Sequence, residues 1–305
     1  MKICIAGKNN IAVNALEYLV KESGLELSDI AACPNKNDAG SDSWQKSLKK
    51  AAGSLGVKII QLEDAYNIED LIFISLECDK IIPVKKFKSK RLYNIRFSLL
   101  PEYKGMFTSV LPILNGRTKS GVTLHIIEEG IDTGDIIDQI EFDLDIKDTA
   151  RDLYDKFLNN AFELFKKNIK NLIEGNFAAA AQPNINSTYY SKKALDYSNI
   201  KIDFNKTSFE IYNQIRAFIF PEYQLSEIEG RKIYKAELTD KKTANNTLIM
   251  ENDKFLISGI DGYLIRVFIK PENPAGGGGR GLVSASSTYC NKTALIFKRR
   301  FYCAA

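Results

Sequence analysis

The chain predicts an α/β fold: a doubly wound, mostly parallel sheet of Rossmann-like type, followed by a smaller α+β or β-rich unit. Two observations carry this. Short β-rich runs alternate with segments of helical period over the first 140 residues, an order that favours parallel strands joined by right-handed crossovers. A long amphipathic helix then closes that region, and one helix with several short strands follows it.

In order, KICIAG is a strand, and NNIAVNALEYLVKES is a helix with Ile11, Ala15, Leu16, Leu19 and Val20 on one face. DIAAC, VKIIQL, LIFISL and RLYNIRF are further strands, with SWQKSLKKAAGSLG a helix between the first two. MFTSVLPIL reads as a short helix, and GVTLHII and DIIDQIEFDL as strands on either side of a glycine-bearing loop. The long helix spans Thr149 to Ile173, with Leu153, Phe157, Ala161, Leu164 and Leu172 as its apolar stripe and Asp148 or Thr149 as its cap. These patterns predict a first domain over 1–175, a surface linker over 176–187 and a small unit over 188–270. Residues 271–305, rich in glycine and serine, are expected to form a disordered tail.

Composition narrows the function. Against 42 basic residues stand 38 acidic ones, a net charge of +4, which gives no electrostatic case for a nucleic-acid partner. MKICIAG runs straight into a strand and no apolar run approaches ~18 residues, so neither a leader nor a membrane segment is expected and the location predicted is cytoplasmic. The five cysteines, at 4, 33, 78, 290 and 303, show no ligand spacing, and with a single histidine no metal site is expected.

Chemistry concentrates between residues 94 and 135. In a doubly wound sheet ligands bind beyond the carboxyl ends of the strands, so the loops after LIFISL and RLYNIRF are the place to look. Asn94 carries an amide able to hold a carbonyl or its tetrahedral adduct. Pro101 ends the strand that precedes it. Asp132 stands in Gly130-Ile131-Asp132-Thr133-Gly134, where a carboxylate is presented free of helical packing. Taken singly, an Asn at a strand end caps and an Asp beside Gly makes a turn.

Together these residues resemble the signature of the 10-formyltetrahydrofolate-dependent formyltransferases. Asn94, Ser98-Leu99-Leu100-Pro101, Tyr103-Lys104-Gly105, Ser120-Gly121-Val122-Thr123 and Gly130 to Asp135 match it in order. IAGKNNIAVNALEYLV, NKNDAGSDSWQKSLKK, YKGMFTSVLPILNG and IYNQIRAFIFPEYQL are similar to the bacterial sugar branch, which formylates dTDP-linked amino-dideoxyhexoses for surface glycans. The likeness is strongest to members acting on a 3-amino group. It implies 10-formyltetrahydrofolate as co-substrate, a dTDP-amino sugar as acceptor, and a homodimer as the assembly.

The resemblance assigns Asn94 to the formyl carbonyl and its oxyanion, and Asp132 to positioning the base. The base itself is a histidine two residues after the Asn, and here that position is Arg96. A guanidinium stays protonated and cannot accept a proton near neutrality. Arg96 is expected either to stabilise an oxyanion or to pair with Asp132 through a bidentate contact, holding the loop while occupying the carboxylate. His125 is expected to be structural, with proton rescue by His125 or Asp132 as the alternative.

For the folate the resemblance implies backbone groups around Leu76, Glu77, Cys78 and Ile81, with Gly130 and Asp135 alongside. For the nucleotide sugar it directs attention to Lys8, Asn9, Asn10 and Lys104, and to Arg216, Tyr223 and Gln224. There Tyr223 or Phe220 would stack on thymine and Arg216 would meet phosphate. Three readings follow: an active sugar N-formyltransferase with altered proton transfer, a paralogue that binds both ligands without turnover, and a transferase for another amine.

Overall fold

The structure, a computed structural model, describes residues 1–269; the tail expected over 271–305 lies outside the described residues. The chain divides into two compact units, the first Met1–Asp196 and the second beginning at Tyr197.

The first unit runs β1 (Lys2–Gly7), α1 (Asn9–Glu22), β2 (Ile30–Pro34), α2 (Leu48–Leu55), β3 (Lys58–Ile59), α3 (Leu62–Ala65), β4 (Leu71–Leu76) and β5 (Leu92–Arg96). It continues through β6 (Lys104–Gly105), α4 (Leu111–Leu114), β7 (Lys119–Ile126), β8 (Ile136–Asp143), α5 (Ala150–Glu174) and β9 (Tyr189–Tyr190). Seven strands form one sheet in the order β3-β2-β1-β4-β5-β7-β8. The first five are parallel, while β7 runs antiparallel to β5 and β8 antiparallel to β7.

This is the α/β sheet that the sequence predicts. Ile3 to Ala6 and Leu71 to Ile74 are fully buried, as central parallel strands covered on both faces require. Helix α1 buries Ile11, Ala15, Leu16 and Leu19, with Val20 half-buried at the edge of the stripe. Helix α5 opens on a Thr149–Asp152 capping box, closes at Gly175 with φ 71°, and buries its whole predicted stripe.

Helices α2 and α4 and strand β3 are well short of their predicted spans. Helix α2 starts at Leu48 because Ser47 caps it, Oγ accepting from the Lys50 N–H at 3.0 Å. Strand β3 stops at Ile59 because Gln61 and Asp64 open α3 with a capping box. Helix α4 keeps only Leu111–Leu114 of MFTSVLPIL, since Phe107 has φ 67° and cannot continue a right-handed turn.

The segment expected to be a bare linker is bound to the first unit. Ala180 bridges Ile136, and β9 pairs parallel with β6. The unit therefore ends at Asp196 rather than before 188: the exposed backbone of Lys104–Gly105 needed a partner, and residues 188–190 supply it.

The second unit contains α6 (Ser208–Arg216), β10 (Glu227–Ile228), β11 (Arg231–Lys242), β12 (Leu248–Glu251), β13 (Lys254–Ile257) and β14 (Tyr263–Ile269). Its sheet, ordered β10-β11-β14-β13-β12, is antiparallel. Ile211 and Ile215 of α6 pack in one core with Ile233, Ile257, Ile265 and Val267 of the strands.

Candidate active site

Strand β1 lies between β2 and β4, so the winding of the sheet reverses there and opens a crevice beyond the carboxyl ends of β1 and β4. Strand β5 extends that edge. Ser75 on β4 is in register with Asn94 on β5, and Asn94 faces His125 on β7.

Asn94 Nδ2 lies 3.0 Å from His125 Nε2, and His125 Nδ1 lies 2.8 Å from the Ile126 carbonyl oxygen. A carbonyl only accepts, so Nδ1 carries the hydrogen and Nε2 accepts from the Asn94 amide. That uses one of the two Nδ2 hydrogens and leaves the other for a ligand. His125 is 2% exposed, and burial pushes its pKa below the usual imidazole value, against an upward pull from Asp132.

Asp132 has φ 54° and lies near the same ring nitrogen, Nε2, that Asn94 faces. Its Oδ2 accepts from the Gly105 N–H at 2.9 Å and lies 3.3 Å from Arg96 Nε, while Oδ1 is 3.9 Å from His125 Nε2. The structure thus brings Asn94, His125, Asp132 and Arg96 together.

The bidentate Arg96–Asp132 contact is not formed. Arg96 Nη2 instead donates to the carbonyl oxygens of Tyr103, at 3.0 Å, and Gly105. Arg96 Nε, buried beside Asp132, makes no hydrogen bond. The cause is the turn after Pro101: Tyr103 and Gly105, with φ 57° and 86°, present carbonyls that draw the planar fork away from the carboxylate. Burial lowers the Arg96 pKa and Asp132 opposes that shift; the guanidinium remains a cation at neutral pH. Glycine is required at two points here. A Cβ on Gly105 would stand 2.2 Å from the Tyr190 oxygen, and one on Gly134 would stand 2.0 Å from the Ile126 oxygen.

Leu76, Glu77, Cys78 and Ile81 of the predicted cofactor residues lie at or just after the end of β4, and Gly130 and Asp135 lie between β7 and β8. Leu76 is buried, its carbonyl accepting from the Lys8 N–H at 3.2 Å. Glu77, with φ 57°, turns its carboxylate to Asn9 Nδ2 at 3.1 Å and to the Tyr154 hydroxyl at 2.8 Å. Burial raises the Glu77 pKa, and Tyr154, Lys8 and Asn9 counter it. Cys78 packs half-buried against the apolar cluster of Phe73 and Phe87, whereas Ile81 is 76% exposed. Gly130 lies against Thr133, and the Asp135 carbonyl accepts from the Ile126 N–H at 3.0 Å.

Of the predicted sugar residues, Asn9 and Asn10 have internal partners, Asn10 Oδ1 accepting from the Lys46 N–H at 2.9 Å. Lys104 Nζ donates to Ser187 Oγ at 3.1 Å. In the second unit Arg216 is 3% exposed, with its guanidinium over the Tyr212 ring and Nε donating to Asn213 Oδ1 at 2.8 Å. Phe220 is buried beneath Tyr223, which is 61% exposed, and the Gln224 N–H donates to the Phe220 carbonyl at 2.8 Å.

Sequence reading missed Gln182 and the carbonyls of Tyr103 and Gly105, because main-chain acceptors and a glutamine in an aperiodic stretch leave no spacing signal. Among the described residues no three His, Cys, Asp or Glu side chains are grouped to hold a metal, and no helix is long and apolar enough to cross a membrane.

The buried neutral imidazole carries a pH signature. Its folded pKa lies below the unfolded value of about 6.5, so the unfolded chain binds more protons as pH falls. The stabilisation is complete above that value and declines below it. Urea unfolding of the native chain should lose stability more steeply below about pH 6.5 than His125→Gln does; parallel pH slopes would contradict a buried neutral His125.

An amide, an imidazole, a carboxylate and a guanidinium thus meet beside the ends of β5 and β7. Comparison with known proteins gives the family. The profile described as Formyl transferase matches residues 58–169. Methionyl-tRNA formyltransferase of Clostridium tetani is 30% identical over 257 residues, 79% of this chain and 82% of that protein. Among solved structures, an N-formyltransferase from Helicobacter canadensis in complex with folinic acid and dTDP-3-aminofucose has a TM-score of 0.86 at 52% identity, over 88% of this chain and 100% of that one. The sugar 3N-formyl transferase WlaRD, solved with dTDP and 5-N-formyl-THF, gives 0.85 at 54% identity over 88% and 97%. The chain belongs to the formyl transferase family.

Proposed function

We propose that this protein transfers the formyl group of 10-formyltetrahydrofolate to the 3-amino group of a dTDP-linked amino-dideoxyhexose, at a rate that Arg96 holds down. The observation that carries the acceptor is the identity of 52–54% with two sugar N-formyltransferases over 88% of the chain, against 30% with the methionyl-tRNA enzyme. The net charge of +4 offers no counterweight in favour of a nucleic acid.

In this reaction the sugar nitrogen attacks the formyl carbon, the bond from that carbon to folate N10 breaks, and the proton that the sugar nitrogen gives up is returned to N10 as it leaves. The free Nδ2 hydrogen of Asn94 suits the oxyanion of the tetrahedral intermediate. Arg96 adds positive charge nearby but takes no proton. Asp132, at 12% exposure, is the carboxylate left to receive it, and its Oδ2 already serves Gly105 and faces Arg96. That engagement is the observation favouring the second reading, in which both ligands bind and turnover is absent. In the second unit the exposed Tyr223 suits stacking on thymine. The same reading takes the assembly to be a homodimer.

Two measurements test this. Calorimetric titration with dTDP should show saturable binding, which a transferase for an unrelated amine would not give. Incubation with 10-formyltetrahydrofolate and a dTDP-3-amino sugar should release tetrahydrofolate slowly; binding of both ligands with no release leaves only the second reading.

A further inference from the structure

The stretch between α5 and the second unit touches both walls of the site. Ala180 and Ile136 exchange backbone hydrogen bonds of 2.8 and 2.9 Å beside β8. Further on, Tyr103 N–H donates to Thr188 Oγ1 at 2.8 Å, Lys104 N–H to the Thr188 carbonyl at 2.9 Å, and Met106 N–H to the Tyr190 carbonyl at 2.8 Å. One wall carries the carbonyls that hold Arg96, and the other carries Asp132.

Between these two contacts lies Gln182. Its carboxamide nitrogen donates to the carbonyl oxygens of Asp132, at 2.9 Å, and Gly134, at 2.7 Å. Both partners only accept, so the atom facing them is the NH2 and both hydrogens are committed. The other end of the amide, Oε1, is buried and makes no hydrogen bond. A buried acceptor left unpaired is costly, so the side chain adopts this pose for its two donors and not for its oxygen. The clamped residue is a left-handed one: Asp132 has φ 54°, a region that aspartate enters more readily than most residues and that the two donors of Gln182 hold from the main-chain side.

We propose that Gln182 is a positioning residue for the transfer reaction: its carboxamide clamps the Asp132 and Gly134 carbonyls and so aims the Asp132 carboxylate at Gly105 and His125. The proposal rests on the reading of this site as a formyl-transfer centre, but its first test needs no turnover. A main-chain clamp two atoms from Cα fixes the backbone of Asp132, and with it the direction in which Cβ leaves the loop. Glutamate at this position keeps the shape and sets an acceptor against two acceptors; methionine keeps the length and removes the donors.

The chain contains one histidine, so with any affinity tag removed its imidazole resonances belong to His125 alone. Asp132 raises the His125 pKa, while burial, Arg96 and Lys104 lower it. NMR titration of Gln182→Met should therefore move the His125 pKa downward, in the direction given by Asp132→Asn, whereas the carboxylate of Gln182→Glu adds an upward pull of its own. In the native chain the two Gln182 amide hydrogens should exchange at least about tenfold more slowly than those of a free carboxamide, a readout that stands if either variant fails to fold. Where turnover is measurable, kcat should fall about tenfold or more, with KM for the nucleotide sugar within about twofold. An unmoved His125 pKa in folded Gln182→Met, or free exchange of the Gln182 amide, overturns the clamp whatever the rate. A shifted pKa in a protein that transfers no formyl group keeps the clamp and refutes the functional reading instead.

Discussion

Arg96→His is expected to raise the rate of tetrahydrofolate release by about 10²–10⁴-fold, the range that general acid–base assistance supplies. The native guanidinium lies in the space between Asp132 and the turn at Tyr103–Gly105, with Nη2 on two carbonyls and Nε facing the carboxylate. None of those contacts moves a proton. An imidazole there titrates near neutrality and can pass a proton from the sugar nitrogen with Asp132 behind it. The variant's rate should rise with pH through the imidazole range and then level, a limb absent from the native profile. Affinities for dTDP and folate should stay within about threefold, because the change removes no interaction made equally by ground and transition states. An unchanged rate in folded protein would show that Arg96 never limits the reaction.

Asp132→Asn should destabilise the fold by about 3 kcal/mol, the cost of leaving one partner of a buried ion pair uncompensated. Arg96 and Asp132 keep only 17% and 12% of their side-chain surface, so solvent does little to replace the lost charge. The asparagine is isosteric and can still accept from the Gly105 N–H, which confines the loss to electrostatics. Arg96→Met combined with Asp132→Asn should recover part of the stability, since the pair itself offers little net gain over neutral packing but methionine also withdraws the donor from the Tyr103 and Gly105 carbonyls. Urea unfolding across the four proteins reads the coupling directly. A loss below about 0.5 kcal/mol for the single variant would place the pair in effectively aqueous surroundings.

The sheet was legible because its central strands are unbroken apolar runs, such as Leu71–Leu76, and α5 because its apolar stripe is continuous and Thr149 marks its start. The lengths of α2, β3 and α4 were less so: a single side-chain cap at Ser47 or Gln61, or one left-handed residue at Phe107, decides each, and periodicity does not register it. In the site, Asn94, Asp132 and Arg96 could be singled out because motif order preserves chain spacing. What Arg96 touches could not, since its partners are carbonyls in a turn whose path only the fold defines. Residues 176–187 looked like a linker for the same reason. Their polar and small residues carry no apolar period, yet Gln182 needs only one amide in the right place. Arg216 shows another limit: its guanidinium lies over the Tyr212 ring, a contact that no spacing in the sequence signals.

A one-carbon donor and a hexose amine are expected to meet between Asn94 and Asp132 beside a fixed cation. Mass analysis of the nucleotide sugar after one turnover, with enzyme in excess over dTDP-3-amino sugar and saturating 10-formyltetrahydrofolate, addresses that most directly. The prediction is N-formylated sugar that accumulates slowly with the native chain and rapidly with Arg96→His. Unmodified sugar from a folded Arg96→His protein that binds dTDP would contradict it.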